Sequence, residues 1–244
     1  MHGPFRAVIL QFPRPRLAVP RFSITRVREL ASRPLRDHLE TLSWYYHQAE
    51  YLAFTRRHSM DFDGFIPREQ LVTESKDSLA HSNNYRAYSN FQLKLLLREA
   101  LSTGIRFENF IDVGCGKGQP CIFAKKYFGF PNVYGIDFSK PLIDVARRNL
   151  AKTSYQSIFF LLADATSWKI PDGDSLVFLF NPFNAFILEQ FLQSNQEHFA
   201  RYRSLIAYGF DEHRSTMCSR GLEVIFRSYR HQHSILQYRG SPSQ

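Results

Sequence analysis

The sequence predicts an α/β fold with a doubly wound, mostly parallel sheet of seven strands, and three observations support this. From residue 110 onward, short apolar runs alternate with helical stretches, which is typical of parallel βαβ units. Glycines at every second position directly follow the first of these runs. Two β-rich segments near the C-terminus leave little room between them, which favours an antiparallel hairpin at the edge of the sheet.

We expect a basic arm (residues 1–33), a helical extension with a lid (34–104) and the α/β core (105–244). Residues 35–58 fit a helix whose apolar face carries Leu39, Leu42, Tyr46, Ala49 and Ala53. Residues 59–88 fit a connecting loop. Ser89 or Asn90 then caps a second helix that ends before Gly104.

The core elements follow in order. The predicted strands span residues 110–113, 133–136, 158–162, 176–180 and 204–208, followed by the two hairpin segments "LEVIFRSYR" and "HSILQYR". The predicted helices span residues 120–128, 141–152 and 185–199.

Composition and charge narrow the class of protein. With 244 residues and 44% hydrophobic content, the chain can bury a sizeable core, and no apolar run is long enough to cross a bilayer. Three cysteines, without metal-ligand spacing, argue against a disulfide framework or a metal site and favour the cytoplasm. Residues 1–28 carry six arginines and no acid, so the basic character belongs to the chain ends. The arginine-rich ends either bind phosphate groups or form a solvated tail.

The glycines and a following acid indicate a nucleotide-like ligand. Gly114, Gly116 and Gly118 lie where the first strand turns into a helix, which is the switch point of such a sheet. Glycine permits a tight turn and a close ligand approach, and the next helix directs free N–H groups at the ligand. Asp137, at the end of the second strand, is positioned to accept hydrogen bonds from both hydroxyls of a ribose. The alternative is a cap for a helix that begins near Ser139.

The glycine spacing selects among adenosine-containing cofactors. A dinucleotide fingerprint needs glycine at position 119, where the chain has Gln119. The pattern D-x-G-x-G-x-G at residues 112–118 resembles motif I of the class I S-adenosylmethionine-dependent methyltransferases. The resemblance continues through Asp137, "LLADATSW" and "FLFNPF", and covers roughly residues 90–240. "FDGFIP", "NNYRAYS" and "FLFNPF" are also similar to a group of bacterial methyltransferases.

The resemblance implies a Rossmann-like fold, S-adenosyl-L-methionine as the cofactor and a role for each matching residue. The residues implied to hold the methionine end are Tyr85 in the lid, Asp112, Gly114, Cys115, Gly116 and Gly118. Asp137 would bind the ribose, Phe138 would lie against the adenine, and Asp164 and Ala165 would recognise the adenine edge.

Other interpretations of these residues stay open. Asp112 could cap the glycine loop, Asp164 could form a turn before Thr166, and Tyr85 could belong to a turn that leads into the next helix. Cys115 is expected to pack as a small apolar residue.

Asn181, Pro182 and Phe183 are the candidates for the acceptor side and the catalytic site. They resemble the N-P-P-Y/F box of amine-directed methyltransferases, in which the asparagine side chain and a proline carbonyl accept hydrogen bonds from an amine. The second proline of the box is absent here. The alternative is an ordinary strand-to-helix turn in which Asn184 caps the next helix.

Three functions remain in competition. The leading hypothesis is a methyltransferase directed at nitrogen of a protein side chain or a small molecule, since methyl transfer from a sulfonium needs alignment and desolvation more than a catalytic triad. The alternatives are a nucleic-acid methyltransferase, suggested by Asn181–Phe183 and the arginine-rich ends, and a cofactor-binding scaffold without turnover.

Overall fold

The computed structural model describes residues 35–73 and 76–239. The chain divides into two units, residues 1–42 and 43–244. The predicted basic arm, residues 1–33, lies outside the described residues. None of the helices among the described residues combines the length and the apolar character needed to span a bilayer.

A seven-stranded sheet forms the centre of the second unit and confirms the predicted fold class. Its strands are β3 (Asn109–Val113), β4 (Asn132–Asp137), β5 (Ile158–Leu162), β6 (Ser175–Phe180), β7 (Leu205–Gly209), β8 (Leu222–Ser228) and β9 (His233–Tyr238). The strand order is β5-β4-β3-β6-β7-β9-β8, with the first five parallel and β9 antiparallel to both of its neighbours. The order reverses beside β3, so a switch point lies at its carboxyl end.

Helices flank this sheet. They are α1 (Leu35–Arg57), α2 (Lys76–His81), α3 (Asn90–Leu101), α4 (Gln119–Phe128), α5 (Lys140–Leu150), α6 (Ala185–Ser194), α7 (Gln196–Arg201) and α8 (Arg214–Ser219). The side chains of Ser89 and Asn184 cap α3 and α6 by accepting hydrogen bonds from backbone N–H groups, as the sequence predicts.

The strands bury apolar residues on both faces because helices pack on each side. Phe110 and Phe178 belong to one apolar cluster, with residues of α3, α4 and α5. Their chain neighbours Ile111 and Val177 belong to a second cluster, with residues of α6, α7 and α8. This double burial explains why the strands read as continuous apolar runs in the sequence.

The structure corrects the predicted connecting loop at residues 59–88. This segment contains β1 (Phe65–Ile66), a short 3₁₀ helix (Arg68–Gln70), α2 and β2 (Tyr85–Arg86), and β1 pairs with β2 in an antiparallel ribbon. The prediction failed because such short elements have no period of their own and are held by tertiary contacts.

Two helix predictions are also wrong in detail. Tyr46, Ala49 and Ala53 are exposed, whereas His47 and Tyr51 are buried, so α1 turns a different face to the core. The single helix predicted for residues 185–199 is broken at Asn195. The Asn195 Oδ1 accepts a hydrogen bond from the Ile170 N–H at 2.8 Å, and its Nδ2 donates to the Trp168 carbonyl at 3.1 Å, which ties this position to a neighbouring loop.

Candidate cofactor site

The loop after β3 is a tight turn fixed by backbone hydrogen bonds. The N–H groups of Gly114 and Cys115 both donate to the Ile136 carbonyl at 2.9 Å, and the Gly118 N–H donates to the Cys115 carbonyl at 2.9 Å. The three glycines have φ of 80°, 53° and 80°, a left-handed conformation that favours glycine. Backbone geometry alone therefore accounts for glycine at these positions.

Close packing is a second reason why these three positions carry glycine. A Cβ added to Gly114 would lie 2.4 Å from Pro182 Cβ, and one added to Gly116 would lie 2.3 Å from Tyr85 Cε2. A Cβ on Gly118 would lie 2.4 Å from Phe160 Cζ. The loop is thus covered by side chains of the predicted lid and the predicted acceptor turn, while Gly118 faces the core.

Asp137 joins the end of β4 to this loop. Its Oδ2 accepts a hydrogen bond from the Gly116 N–H at 2.9 Å, and its Oδ1 accepts one from the Ser139 N–H at 2.8 Å. The side chain is buried, and burial raises the pKa of Asp137 to about 6 against the opposing effect of these two bonds. Asp137 thus holds the backbone N–H of Ser139, the residue before α5, and each carboxylate oxygen retains a lone pair for a further donor.

Asp112 and Gln119 supply two more acceptors beside the loop. Asp112 is buried, burial raises its pKa well above the usual range, and the Cys121 thiol lies 3.7 Å from its Oδ2. The Gln119 Nε2 donates to the Tyr88 carbonyl at 2.8 Å, while its buried Oε1 has no hydrogen-bond partner among the described residues. A buried acceptor without a donor fits a ligand that brings one.

Residues 61–63, which precede the lid segment 81–88, are joined to the glycine loop by a lysine side chain. The Lys117 Nζ donates to Asp61 Oδ1 at 2.6 Å and to the Asp63 carbonyl at 2.7 Å. The Tyr85 hydroxyl donates to the Phe62 carbonyl at 2.5 Å, which holds the Tyr85 ring against Gly116.

The turn after β6 is fastened to the lid as well. The Asn83 N–H donates to the Pro182 carbonyl at 3.0 Å, and the Asn83 Nδ2 donates to the Asn181 carbonyl at 2.8 Å. Asn181 has a left-handed φ of 41°. Its Oδ1 accepts from the Tyr208 hydroxyl at 3.2 Å, and its Nδ2 donates to Glu212 Oε2 at 3.0 Å, so both ends of the amide are oriented.

These elements enclose a cleft at the carboxyl ends of β3, β4 and β6, here called the first cleft. The predicted site residues that line it are Tyr85, Asp112, Gly114, Cys115, Asp137, Phe138, Ala165, Asn181, Pro182 and Phe183. Gly116 and Gly118 do not line it.

Asp164 does not line the first cleft either. Its Oδ1 accepts hydrogen bonds from the Thr166 N–H at 2.9 Å and from the Thr166 hydroxyl at 2.7 Å, which is the turn-forming interpretation. The lining residues that were not predicted as site residues include Gln119, Tyr88 and Arg86. In the sequence analysis, Gln119 served only to exclude the dinucleotide fingerprint. An amide side chain directly after the glycine loop was itself a signal of a ligand-binding residue.

Comparison with known proteins agrees with this geometry. Residues 110–201 match the sequence profile of a family described as "Methyltransferase domain". These residues form a methyltransferase domain. The resemblance inferred from motif I is confirmed, and the cofactor is S-adenosylmethionine. No sequence among curated proteins matches the chain.

The solved structures that are similar to this chain have low sequence identity to it. A ribosomal protein L11 methylase from Lactobacillus delbrueckii subsp. bulgaricus is 15% identical, with a TM-score of 0.48 over 63% of this chain and 81% of that one. A methyltransferase from Podospora anserina with bound SAH is 11% identical, with a TM-score of 0.49 over 63% and 80%. The N-methyltransferase NodS from Bradyrhizobium japonicum WM9 is 14% identical, with a TM-score of 0.43 over 59% and 91%.

The first cleft fits the cofactor chemically. The methionine end of S-adenosylmethionine carries an ammonium group, and the cleft offers the Asp112 carboxyl and the unpartnered Gln119 Oε1 as acceptors. The ribose carries two hydroxyl donors, and Asp137 lines the same cleft. The roles of the individual residues remain predictions.

Proposed function

We propose that this methyltransferase transfers the methyl group to nitrogen, either on a small molecule or on a protein side chain. The observation that carries the proposal is the packing of Pro182 directly over Gly114, because it puts the acceptor turn and the glycine loop in one cleft. A methyl acceptor bound at this turn would meet the cofactor without any rearrangement of the strands.

The bound cofactor supplies an activated methyl group on a cationic sulfur: the acceptor nitrogen's lone pair forms the new bond to carbon, and the carbon–sulfur bonding pair stays on sulfur. The proton that the product nitrogen no longer needs leaves to water. The protein has to orient the acceptor and exclude solvent, which the lid segment 81–88 and the turn at residues 181–184 can do together.

The hydrogen bonds at Asn181 support a nitrogen acceptor. A carbonyl oxygen has two lone pairs, and Tyr208 uses one of them on Asn181 Oδ1. The second can accept an N–H from the acceptor and hold its lone pair toward the methyl group. The Pro182 carbonyl accepts one hydrogen bond, from Asn83, and keeps its second lone pair, so the nucleic-acid alternative is distinguished by the test below.

The test is to supply labelled S-adenosylmethionine with three separated pools from a cell extract: small molecules, proteins and nucleic acids. We expect label in one of the first two pools, in a product whose added methyl group mass spectrometry assigns to nitrogen. Label confined to nucleic acid would support the amine-directed nucleic-acid alternative. Saturable cofactor binding with no labelled product in any pool would support the scaffold without turnover.

A matched pair of variants tests the role of Asn181. Asn181→Gly removes the amide and tolerates the left-handed backbone, so we expect turnover to fall about tenfold or more while cofactor affinity stays unchanged. Ser157→Gly makes the same change at φ 59°, in the connection that leads into β5, and should leave turnover intact. Equal effects in the two variants would contradict a role for the Asn181 amide.

A further inference from the structure

Among the described residues that line the first cleft, the lid contributes the positive charge, and it comes from Arg86. The other charged side chains of that lining are the carboxyls of Asp112 and Asp137. S-adenosylmethionine carries a sulfonium, an ammonium and a carboxylate. The two acids suit its cations and its hydroxyl donors, but its carboxylate needs a hydrogen-bond donor from the protein.

The glycine loop has few donors left for this carboxylate. The N–H groups of residues 114, 115, 116 and 118 all donate within the protein, to the Ile136 carbonyl, the Asp137 carboxylate and the Cys115 carbonyl. The Lys117 ammonium is bound as well, by the Asp61 carboxylate and the Asp63 carbonyl, and Lys117 does not line the first cleft. These donors are therefore already satisfied.

The Arg86 guanidinium, by contrast, has no acidic partner among the described residues. Arg86 is exposed, and its guanidinium carbon lies 5.6 Å from the centroid of the Phe180 ring, which also lines the first cleft. A guanidinium that lies over an aromatic ring keeps the N–H groups at its edge available. Arg86 can therefore donate two parallel hydrogen bonds to a carboxylate.

The lid holds Arg86 beside the glycine loop. Arg86 belongs to β2, which pairs with β1, and the ring of its neighbour Tyr85 packs against Gly116. Two residues after Arg86, the Tyr88 carbonyl accepts a hydrogen bond from Gln119 Nε2 at 2.8 Å. The lid is thus in contact with the loop and with α4 on both sides of Arg86 along the chain.

The same contacts bring a cationic donor and a neutral acceptor together. The carboxylate and the ammonium of the methionine end are bonded to one carbon atom, so the groups that bind them have to be adjacent. Gln119 Oε1 is a buried acceptor without a partner among the described residues, and the Gln119 side chain is bound to the lid two residues from Arg86. This pair matches an ammonium beside a carboxylate.

We propose that Arg86 binds the carboxylate of the methionine end and thereby makes the first cleft selective for cofactors that carry this group. The inference concerns the cofactor and does not depend on nitrogen as the methyl acceptor. It also gives the lid a part in cofactor binding. A cofactor with the carboxylate bridges the sheet and the lid through Arg86, whereas a cofactor without it loses that bridge.

Two ligands that differ only in this group test the proposal without any turnover. S-adenosylhomocysteine carries the carboxylate. Its decarboxylated analogue, S-adenosyl-3-thiopropylamine, keeps the adenosine, the thioether and the ammonium. We expect calorimetry to show that the unmodified protein binds S-adenosylhomocysteine about 10- to 100-fold tighter than the analogue, because a hydrogen bond to a charged group has about this effect.

Variants at position 86 assign this preference to the arginine. Arg86→Gln should weaken the binding of S-adenosylhomocysteine by about tenfold or more and leave the affinity for the analogue unchanged. Arg86→Lys keeps the charge without the two-pronged geometry, so it should retain part of the preference.

Arg68→Gln is the matched control. Arg68 lies in the same segment, between β1 and β2, is exposed, pairs with Glu69 at 3.5 Å and does not line the first cleft. The control loses the same charge, and any change in affinity should be equal for the two ligands.

Each result decides for or against the inference. Equal affinities of the two ligands for the unmodified protein would overturn it, and so would a preference that survives in Arg86→Gln. An equal loss for both ligands in Arg86→Gln would also overturn it, because Arg86 would then act only on the structure of the lid. Methyl transfer to oxygen or carbon would refute the proposed nitrogen acceptor and leave this inference intact.

Discussion

Two neighbouring clefts of the second unit obtain their charged side chains from different parts of the chain. In the first cleft, Asp112 and Asp137 project from the ends of adjacent parallel strands and are buried. A second cleft, lined by the lid, by Phe180 and Phe210 and by the turn between β8 and β9, contains Arg86 from the lid and Arg230 from the hairpin turn. Both arginines are exposed, and Arg86 also lines the first cleft. One cleft is therefore organised by the sheet, and the other by segments that are distant in sequence.

This difference affects how firmly each charge is fixed. Burial raises the pKa values of Asp112 and Asp137, so the charge of the first cleft depends on pH and on what binds there. An arginine stays protonated at every physiological pH, so the charge of the second cleft is permanent. Only the charge of the first cleft should therefore change with pH in the physiological range.

The largest expected effect is on cofactor binding in the first cleft. Asp137→Ala removes the predicted acceptor for the ribose hydroxyls, and we expect the affinity for S-adenosylmethionine to fall by about 30- to 1,000-fold, or roughly 2 to 4 kcal/mol. It also removes the acceptor for the Gly116 and Ser139 N–H groups, so the melting temperature of the cofactor-free protein should fall moderately. Calorimetry and thermal unfolding measure the two effects separately.

Asp144→Ala is the matched control for Asp137→Ala. Asp144 lies on α5, is partly exposed, and pairs with Lys140 at 2.7 Å. The control loses the same charge and should keep normal cofactor affinity. A lowered melting temperature with normal affinity in Asp137→Ala would leave this carboxylate with its capping contact alone and would remove the ribose prediction.

The sequence predicted the acidic residues of the first cleft because their placement is local. Strand β5 was predicted with its observed bounds, and β3 and β6 were each predicted one residue short at the start. Once these strands are parallel neighbours, Asp112 and Asp137 must lie at the same edge. Asp164 makes the turn contact with Thr166 that the sequence analysis gave as the alternative, and its role toward the adenine stays a prediction.

The second cleft could not be predicted in the same way. Arg86 and Arg230 meet only after the lid has folded over the loop and the hairpin has paired with β7. No spacing of residues in the sequence indicates that these two arginines lie close together. The left-handed backbone at Phe210 was equally hidden, since phenylalanine carries no signal for such a conformation.

A substitution in the glycine loop should have a smaller effect, on the stability of the fold. Gly116→Ala has to adopt a left-handed φ and also displaces the Tyr85 ring, so we expect a loss of about 2 to 5 kcal/mol in the free energy of unfolding. Gly129→Ala meets no atom within 4 Å at φ 65° and should lose only about 1 to 2 kcal/mol. Urea unfolding measures both, and equal losses would show that Tyr85 is not held tightly against the loop.

The pH dependence should separate the two clefts as well. Asp137 has a folded pKa of about 6, above its unfolded value near 4. We predict that its ionised form accepts both ribose hydroxyls, so cofactor affinity should fall by up to about tenfold per pH unit below pH 6.

Stability without cofactor should change in the opposite direction. Because the folded protein binds the Asp137 proton more tightly, the stability contribution of this group is present below pH 4 and is lost as the pH rises through about 6. Titrations of affinity and stability from pH 5 to 8 check both signs. Asp137→Asn should remove both dependences, and a variant that keeps them would assign them to Asp112, whose pKa is raised in the same direction.

The smallest expected effect is on stability, at Phe210 in the second cleft. Phe210→Gly relieves the left-handed strain and removes a ring that is nearly half exposed, so we expect the free energy of unfolding to rise by about 1 kcal/mol. Gln232→Gly relieves strain at a second left-handed position without removing an aromatic ring, and it should stabilise the protein by a similar amount. Urea unfolding measures both variants. If Phe210→Gly instead destabilises the protein while Gln232→Gly stabilises it, the packing of the Phe210 ring outweighs the strain of its backbone.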